Sequence, residues 1–259
     1  MPPAVLDGVL MDAAQAQIPV VDEGLLRGDG VFEVIALYGG RPFGLDEHLA
    51  RMGRSADGLR LPIDLDAVRD DIATILEAAG TVDDALRVLV TRGGRRIALI
   101  EPRKKRPATL RLATVTYSPT RILDGIKSLS YGANMLATRL AQERGADEAL
   151  LVTPHGRVLE GPTLSFFYVL DGALYTPPLS DRILDSITRR MLFEVVEVSE
   201  RVTTRDDLGA ISEAFLSSST HEVQPVSAID DIVIVAAPGP VSTDAAERAR
   251  RHIDATLAR

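Results

Sequence analysis

Residues 27–59 read RGDGVFEVIALYGGRPFGLDEHLARMGRSADGL. Within them Val31–Tyr38 is apolar and β-branched with glycines on both sides, the pattern of a buried strand that ends in a turn at Gly39-Gly40. Leu45, Leu49, Met52, Ala56 and Leu59 then recur at spacings of three and four, which predicts an amphipathic helix with His48 and Arg51 one turn apart on it. Working outward, residues 64–79 read as a second amphipathic helix, and 85–92 and 108–117 as strands, so the first half is α+β. The pattern lapses around Ser118-Pro119-Thr120. Beyond it come a helix near 132–144, strands near 148–153, 157–160 and 165–170, a helix from about Ser186 and a terminal helix near 242–257. The expected organisation is a small α+β domain over 1–117, a linker over 118–124 and a larger α+β domain over 125–259.

Composition bounds the function. The 259 residues are 46% apolar, 25% charged and 4% aromatic, a balance that excludes disorder as the main state and suits one large or two modest domains. With no cysteine, disulfides, thiolate metal sites and thiol nucleophiles fall away together. The four histidines, His48, His155, His221 and His252, lack metal-ligand spacing, so no metal is expected. A net charge of −8 argues against non-specific nucleic-acid binding while allowing a local basic site for a small anion. No apolar run approaches the roughly 18 residues of a membrane span, and residues 1–20 lack a basic leader. The reading is a cytoplasmic protein with small-molecule partners.

Of 29 cationic side chains only Lys104, Lys105 and Lys127 are lysines. The first two sit in a charged run between prolines and read as a solvated loop. Lys127 lies in ILDGIKSLSY, where an apolar setting would favour the neutral amine and make it a nucleophile toward a carbonyl, a role closed to arginine. The alternative for Lys127 is a stem partly buried with its ammonium in water. Taken singly, Arg51 and Glu160 also read as surface charges, Ser219 and Thr220 as a polar turn, and Tyr131 as a core tyrosine.

Taken in order, RGDGVFE (27–33) with DEHLAR (46–51), Lys127, GADEA (145–149), Glu160-Gly161, LYTPP (174–178), Ile187-Thr188-Arg189 and EVQPV (222–226) resemble the class IV aminotransferases, the fold type IV pyridoxal-phosphate enzymes. The match runs from about residue 7 to 230. The resemblance implies that Lys127 forms a Schiff base with pyridoxal 5′-phosphate and moves the proton at the substrate α-carbon. It makes Glu160 the partner of the pyridine nitrogen and Arg51 the phosphate arginine. Ile187 and Thr188 would offer backbone N–H groups to the phosphate at a helix N-terminus. Ser219 and Thr220 match the remaining phosphate and substrate-side contacts, Tyr131 is placed to reach the cofactor's 3′-oxygen or the substrate, and Phe32 falls on the substrate side.

The sequence departs from the family at three places. Leu164 and Ser165 stand where Ser-Asn is common, Ser186 replaces the glycine before Ile-Thr-Arg, and Asp185 precedes it, an anion that would weaken a phosphate site unless it points away. The strand Phe32–Tyr38 and Lys127-Ser128-Leu129 most resemble the D-amino-acid transaminases. Arg95 or Arg96 on TRGGRR (91–96) matches their carboxylate-receiving loop, which in the family reaches the active site at a homodimer interface, although Leu99 stands near where those enzymes carry histidine. The implied activity is transamination between an amino acid, with D favoured, and an α-keto acid. Aminodeoxychorismate lyase, branched-chain L-amino-acid transaminase and a non-catalytic cofactor-binding protein are the alternatives.

Overall fold

The computed structural model describes every residue except Met1, Lys104, Arg106 and Arg259, so Lys104 lies outside the described residues. The chain forms two units, Met1–Lys104 with Ile126–Tyr131 and Lys105–Gly125 with Gly132–Arg259. Both mix helices and strands, as the α+β reading expects.

The first unit holds β1 (Pro3–Leu6), β2 (Val9–Asp12), α1 (Glu23–Arg27), β3 (Gly30–Tyr38), β4 (Arg41–Pro42), α2 (Leu45–Leu59), α3 (Leu65–Ala79), β5 (Ala85–Thr91) and β6 (Arg96–Glu101). The strands make one sheet in the order β2-β1-β6-β5-β3-β4, and every pairing in it is antiparallel. Alternation along β3 turns Val31, Ile35 and Leu37 to one face, where they join Leu49, Met52 and Ala56 of α2 and Val68, Ile72 and Ile75 of α3 in a single apolar core. Glu33 has the same parity and therefore shares that face.

The second unit holds β7 (Leu110–Thr116), α4 (Gly132–Glu143), β8 (Glu148–Val152), β9 (Ser165–Leu170), β10 (Ala173–Thr176), α5 (Ile187–Val195), β11 (Ser199–Glu200), β12 (Glu213–Ser218), β13 (Glu222–Ile229), β14 (Ile232–Val233) and α6 (Pro240–Leu257). Its sheet runs β11-β10-β9-β12-β13-β7-β8, with β14 on β13. Phe166, Tyr168, Leu216 and Val226 fill the core on one face, and Phe167 stacks on Phe215 on the other, their ring centroids 4.9 Å apart.

Three expectations change. The strand after Pro107 pairs in parallel with β8 and β13, so it belongs to the second unit, and the division falls before it rather than at 118–124. Residues 126–131 return to the first unit because they pair with β3, through a bridge from Val31 to Ser128 and the bonds Leu129 N to Gly30 O (2.8 Å) and Phe32 N to Lys127 O (3.2 Å). Residues 157–160 make no strand; Arg157 and Val158 form isolated bridges to Thr204 and Val152. Among the described residues no helix is long and apolar enough to cross a membrane.

Candidate active site

The segment bearing Lys127 is fixed by backbone contacts. Lys127 N donates to Ser55 Oγ on α2 at 3.1 Å, adding to the bonds along β3. Gly30 admits this approach, since a Cβ there would stand 2.6 Å from Leu129 Cδ1 and 2.5 Å from Val90 O. Gly28, at φ +68°, closes α1 in the left-handed region. The glycines of RGDG thus bring the lysine segment against the strand. Lys127 Nζ lies 4.3 Å from the centroid of the Phe32 ring and 5.6 Å from that of Tyr131. The two rings meet edge to face at 5.1 Å. Phe32, Lys127 and Tyr131 are therefore brought together.

Arg51 projects from α2 to the other face of β3, where it meets Glu33 and His48. Glu33 Oε1 accepts from Arg51 Nε at 2.7 Å, and Oε2 accepts from Arg51 Nη2 at 2.5 Å and stands 2.7 Å from His48 Nδ1. All three residues are at most 5% exposed. Burial works against the Glu33 charge, but the hydrogen bonds from Arg51 and His48, with the Arg51 charge, outweigh it and hold the Glu33 pKa at about 2. Burial pushes His48 below its ordinary value against the raising effect of the Glu33 hydrogen bond and charge, and the Arg51 and Lys127 charges add to the lowering. His48 is therefore neutral at pH 7, and its Nδ1–H donates to the carboxylate. Sequence reasoning gave Glu33 no role, although a lone charge inside an apolar strand was a visible signal.

Arg95 Nη1 pairs with Asp7 at 2.7 Å, and Arg96 Nε with the buried Asp71 at 2.7 Å. Both arginines of the expected carboxylate loop thus already hold a carboxylate of their own unit.

In the second unit, Glu160 Oε1 accepts from Leu184 N at 3.0 Å. Burial raises the Tyr117 hydroxyl pKa, and the nearby Glu160 charge raises it further. Ile187 and Thr188 open α5, both buried. The helix ladder starts at Arg190 N to Ser186 O, so their N–H groups lie outside it. Ser186 is the N-cap, its Oγ accepting from Arg189 N at 3.3 Å, which explains a serine where the family has glycine. Asp185 accepts from two Arg190 nitrogens, Nε and Nη2, so its charge is answered by that side chain. Thr220 Oγ1 and Ser218 Oγ stand 2.9 and 3.0 Å from His221 Nδ1, with Ser219 in the same turn. Ser165 faces Ser217 across β9 and β12; both are buried, and neither Oγ has a partner among the described residues.

These residues fit a phosphorylated carbonyl cofactor. The amine of Lys127 suits an aldehyde, and the Arg51 guanidinium suits a phosphate. In the second unit the unladdered amides of α5 are donors suited to an anion, and the unpartnered hydroxyls of Ser165 and Ser217 are separate polar atoms with hydrogen-bonding capacity to spare.

The amino-transferase class IV family model matches residues 30–229. The chain is 34% identical to a Methanocaldococcus jannaschii protein that carries the name of a branched-chain-amino-acid aminotransferase, over 88% of each chain. It is 30% identical to a Bacillus licheniformis D-alanine aminotransferase, over 92% of each. Among solved structures, a hypothetical aminotransferase from Mycobacterium tuberculosis in its PLP-bound form matches with a TM-score of 0.87 at 26% identity, over 98% of this chain and 99% of that one. The chain belongs to the class IV aminotransferase family, and it is an aminotransferase of the pyridoxal-phosphate-dependent kind.

Proposed function

We propose that the chain moves an amino group between a D-amino acid and an α-keto acid, with Lys127 as the residue that joins the cofactor carbonyl and carries the proton to and from the substrate α-carbon. The observation that carries this reading is the placement of Lys127, its backbone tied to β3 and α2 and its amine over Phe32. Bound pyridoxal phosphate supplies the carbonyl and an electron-withdrawing ring. Arg51, the Ile187 and Thr188 amides and Ser219 hold the phosphate. Glu160 keeps a proton at the ring nitrogen, Tyr131 orients the ring oxygen, and Phe32 and Thr220 contact the substrate. The D reading is supported by the likeness of Phe32–Tyr38 and Lys127–Leu129 to D-amino-acid enzymes and by the B. licheniformis relative.

A second reading, an L-branched-chain donor, is favoured by the M. jannaschii relative and by the ion pairs of Arg95 and Arg96, which a substrate carboxylate would have to displace. The visible spectrum of the cofactor-loaded protein, with D-alanine or with L-leucine, tests the choice. Loss of the cofactor band with D-alanine alone is expected, and loss with L-leucine alone overturns the D reading. Turnover without any α-keto acid would point to the lyase. We further propose a homodimer, supported by the exposure of Val20, Val21, Leu25 and Leu26; sedimentation at the monomer mass would refute it.

A further inference from the structure

Glu33 stands on the helix-facing side of β3 with Val31, Ile35 and Leu37, a position where an apolar residue is the ordinary occupant. An ionised carboxylate there is costly unless every contact is answered. Here both oxygens are used. Two bonds run to one edge of the Arg51 guanidinium, Nε to Oε1 and Nη2 to Oε2, and the second oxygen also takes the His48 Nδ1 proton. A two-point contact on one edge fixes the plane of a guanidinium as well as its position, whereas one contact leaves it free to turn.

We propose that Glu33 is a positioning residue: its carboxylate sets the plane of the Arg51 guanidinium so that Arg51 presents a fixed set of donors to the cofactor phosphate. The inference rests on the reading of Arg51 as the phosphate arginine. Two effects oppose each other. The Glu33 charge reduces the net pull of Arg51 on an anion, while the clamp holds Arg51 in one orientation. Arg51 is only 5% exposed, so without its partner the guanidinium would be a buried charge unpaired on one edge, and it would turn to seek other acceptors. Orientation therefore outweighs charge, and loss of the Glu33 carboxylate weakens phosphate binding.

The test compares pyridoxal phosphate with pyridoxal, which has the aldehyde and ring but no phosphate, by titrating the full-length protein and reading the visible band. Lys127 and Glu160 act on both ligands alike, so their ratio of affinities isolates the phosphate. In Glu33→Gln the preference for the phosphorylated ligand is expected to fall by about tenfold or more with pyridoxal affinity unchanged, the scale of a lost charge-assisted bond. Glu33→Asp, one methylene shorter, loses part of it. His48→Gln, which leaves the clamp in place, keeps most of it. A preference unchanged or raised in Glu33→Gln overturns the proposal. If that variant does not fold, an unchanged preference in Glu33→Asp does so. Equal loss for both ligands would reveal a merely structural role. Arg51→Gln separates the two layers, since a preference that survives it overturns the phosphate reading of Arg51 itself.

Discussion

Two of the glutamates buried on strands beneath helices invite comparison, Glu33 in the first unit and Glu213 in the second, 1% and 4% exposed. Glu33 is answered by a guanidinium and an imidazole. Glu213 is answered by the start of α6: Val241 N donates to Oε1 at 3.2 Å, and Ser242 N and Oγ donate to Oε2 at 3.0 and 3.2 Å. Backbone amides are fixed by the helix they belong to, so Glu213 serves the helix, satisfying donors the ladder leaves over. A guanidinium ends a long flexible stem, so Glu33 serves the side chain. The same residue at the same depth is a cap in one place and a clamp in the other, and the partner decides which.

The largest expected effect falls outside both acids and fixes the scale. Lys127→Ala should lower turnover by about 10³-fold or more and remove the visible band; wild-type activity would refute the assignment of the site. The contrast itself is tested by Glu213→Ala, which leaves buried amides unsatisfied and should cost about 2–4 kcal/mol in urea unfolding while the preference for phosphorylated ligand stays unchanged. A changed preference would erase the distinction between cap and clamp. Gly239→Ala should cost about 1–3 kcal/mol by the same measurement, because its Cβ would fall 2.2 Å from the Glu213 carboxyl carbon.

Acid should act on the clamp in two stages. The folded pKa values of His48 and Glu33 both lie below their ordinary values, so the unfolded chain binds more protons and stability decreases as the pH is lowered. The His48 contribution is whole above about pH 6.5 and is lost below it, and that of Glu33 is whole above about 4.5 and is lost toward 2. Urea midpoints measured from pH 8 downward should show the first stage in the wild type and not in His48→Gln. The smallest effect belongs to Asp185→Ala, which removes a partly exposed pair with Arg190 and should change stability by less than about 1 kcal/mol and leave phosphorylated-ligand affinity as it was. A tightened affinity would mean that the Asp185 charge does act on the phosphate.

Much of the fold was legible where periodicity is strong. The spacing of Leu45, Leu49, Met52, Ala56 and Leu59 gave α2 its observed bounds, and the run Val31–Tyr38 lies within β3. Sheet membership was not legible, because β7 is apolar whichever neighbours it takes and its partners β8 and β13 come later in the chain. Val158 and Leu159 are buried as strand residues would be, yet their spacing cannot reveal that only isolated bridges form there. Of the site, the ordered motifs pointed to Lys127 and Arg51 but not to what holds them. The partners of Arg51, Arg95 and Arg96 lie 18, 88 and 25 positions away, and a pairing of charges over such separations leaves no mark in local sequence.

The excursion of Ile126–Tyr131 into the first unit bears on how this molecule can be cut and recombined. A fragment ending near residue 104 would lose Lys127 and leave the Gly30–Phe32 edge of β3 bare, an invitation to pair with another chain. A chimera with one junction there would unite the lysine of one parent with the strand of the other, across a fit set by Gly30 and Leu129. Exchange between relatives that respects the folding units therefore needs three junctions, with the hexapeptide travelling alongside the sheet it pairs with.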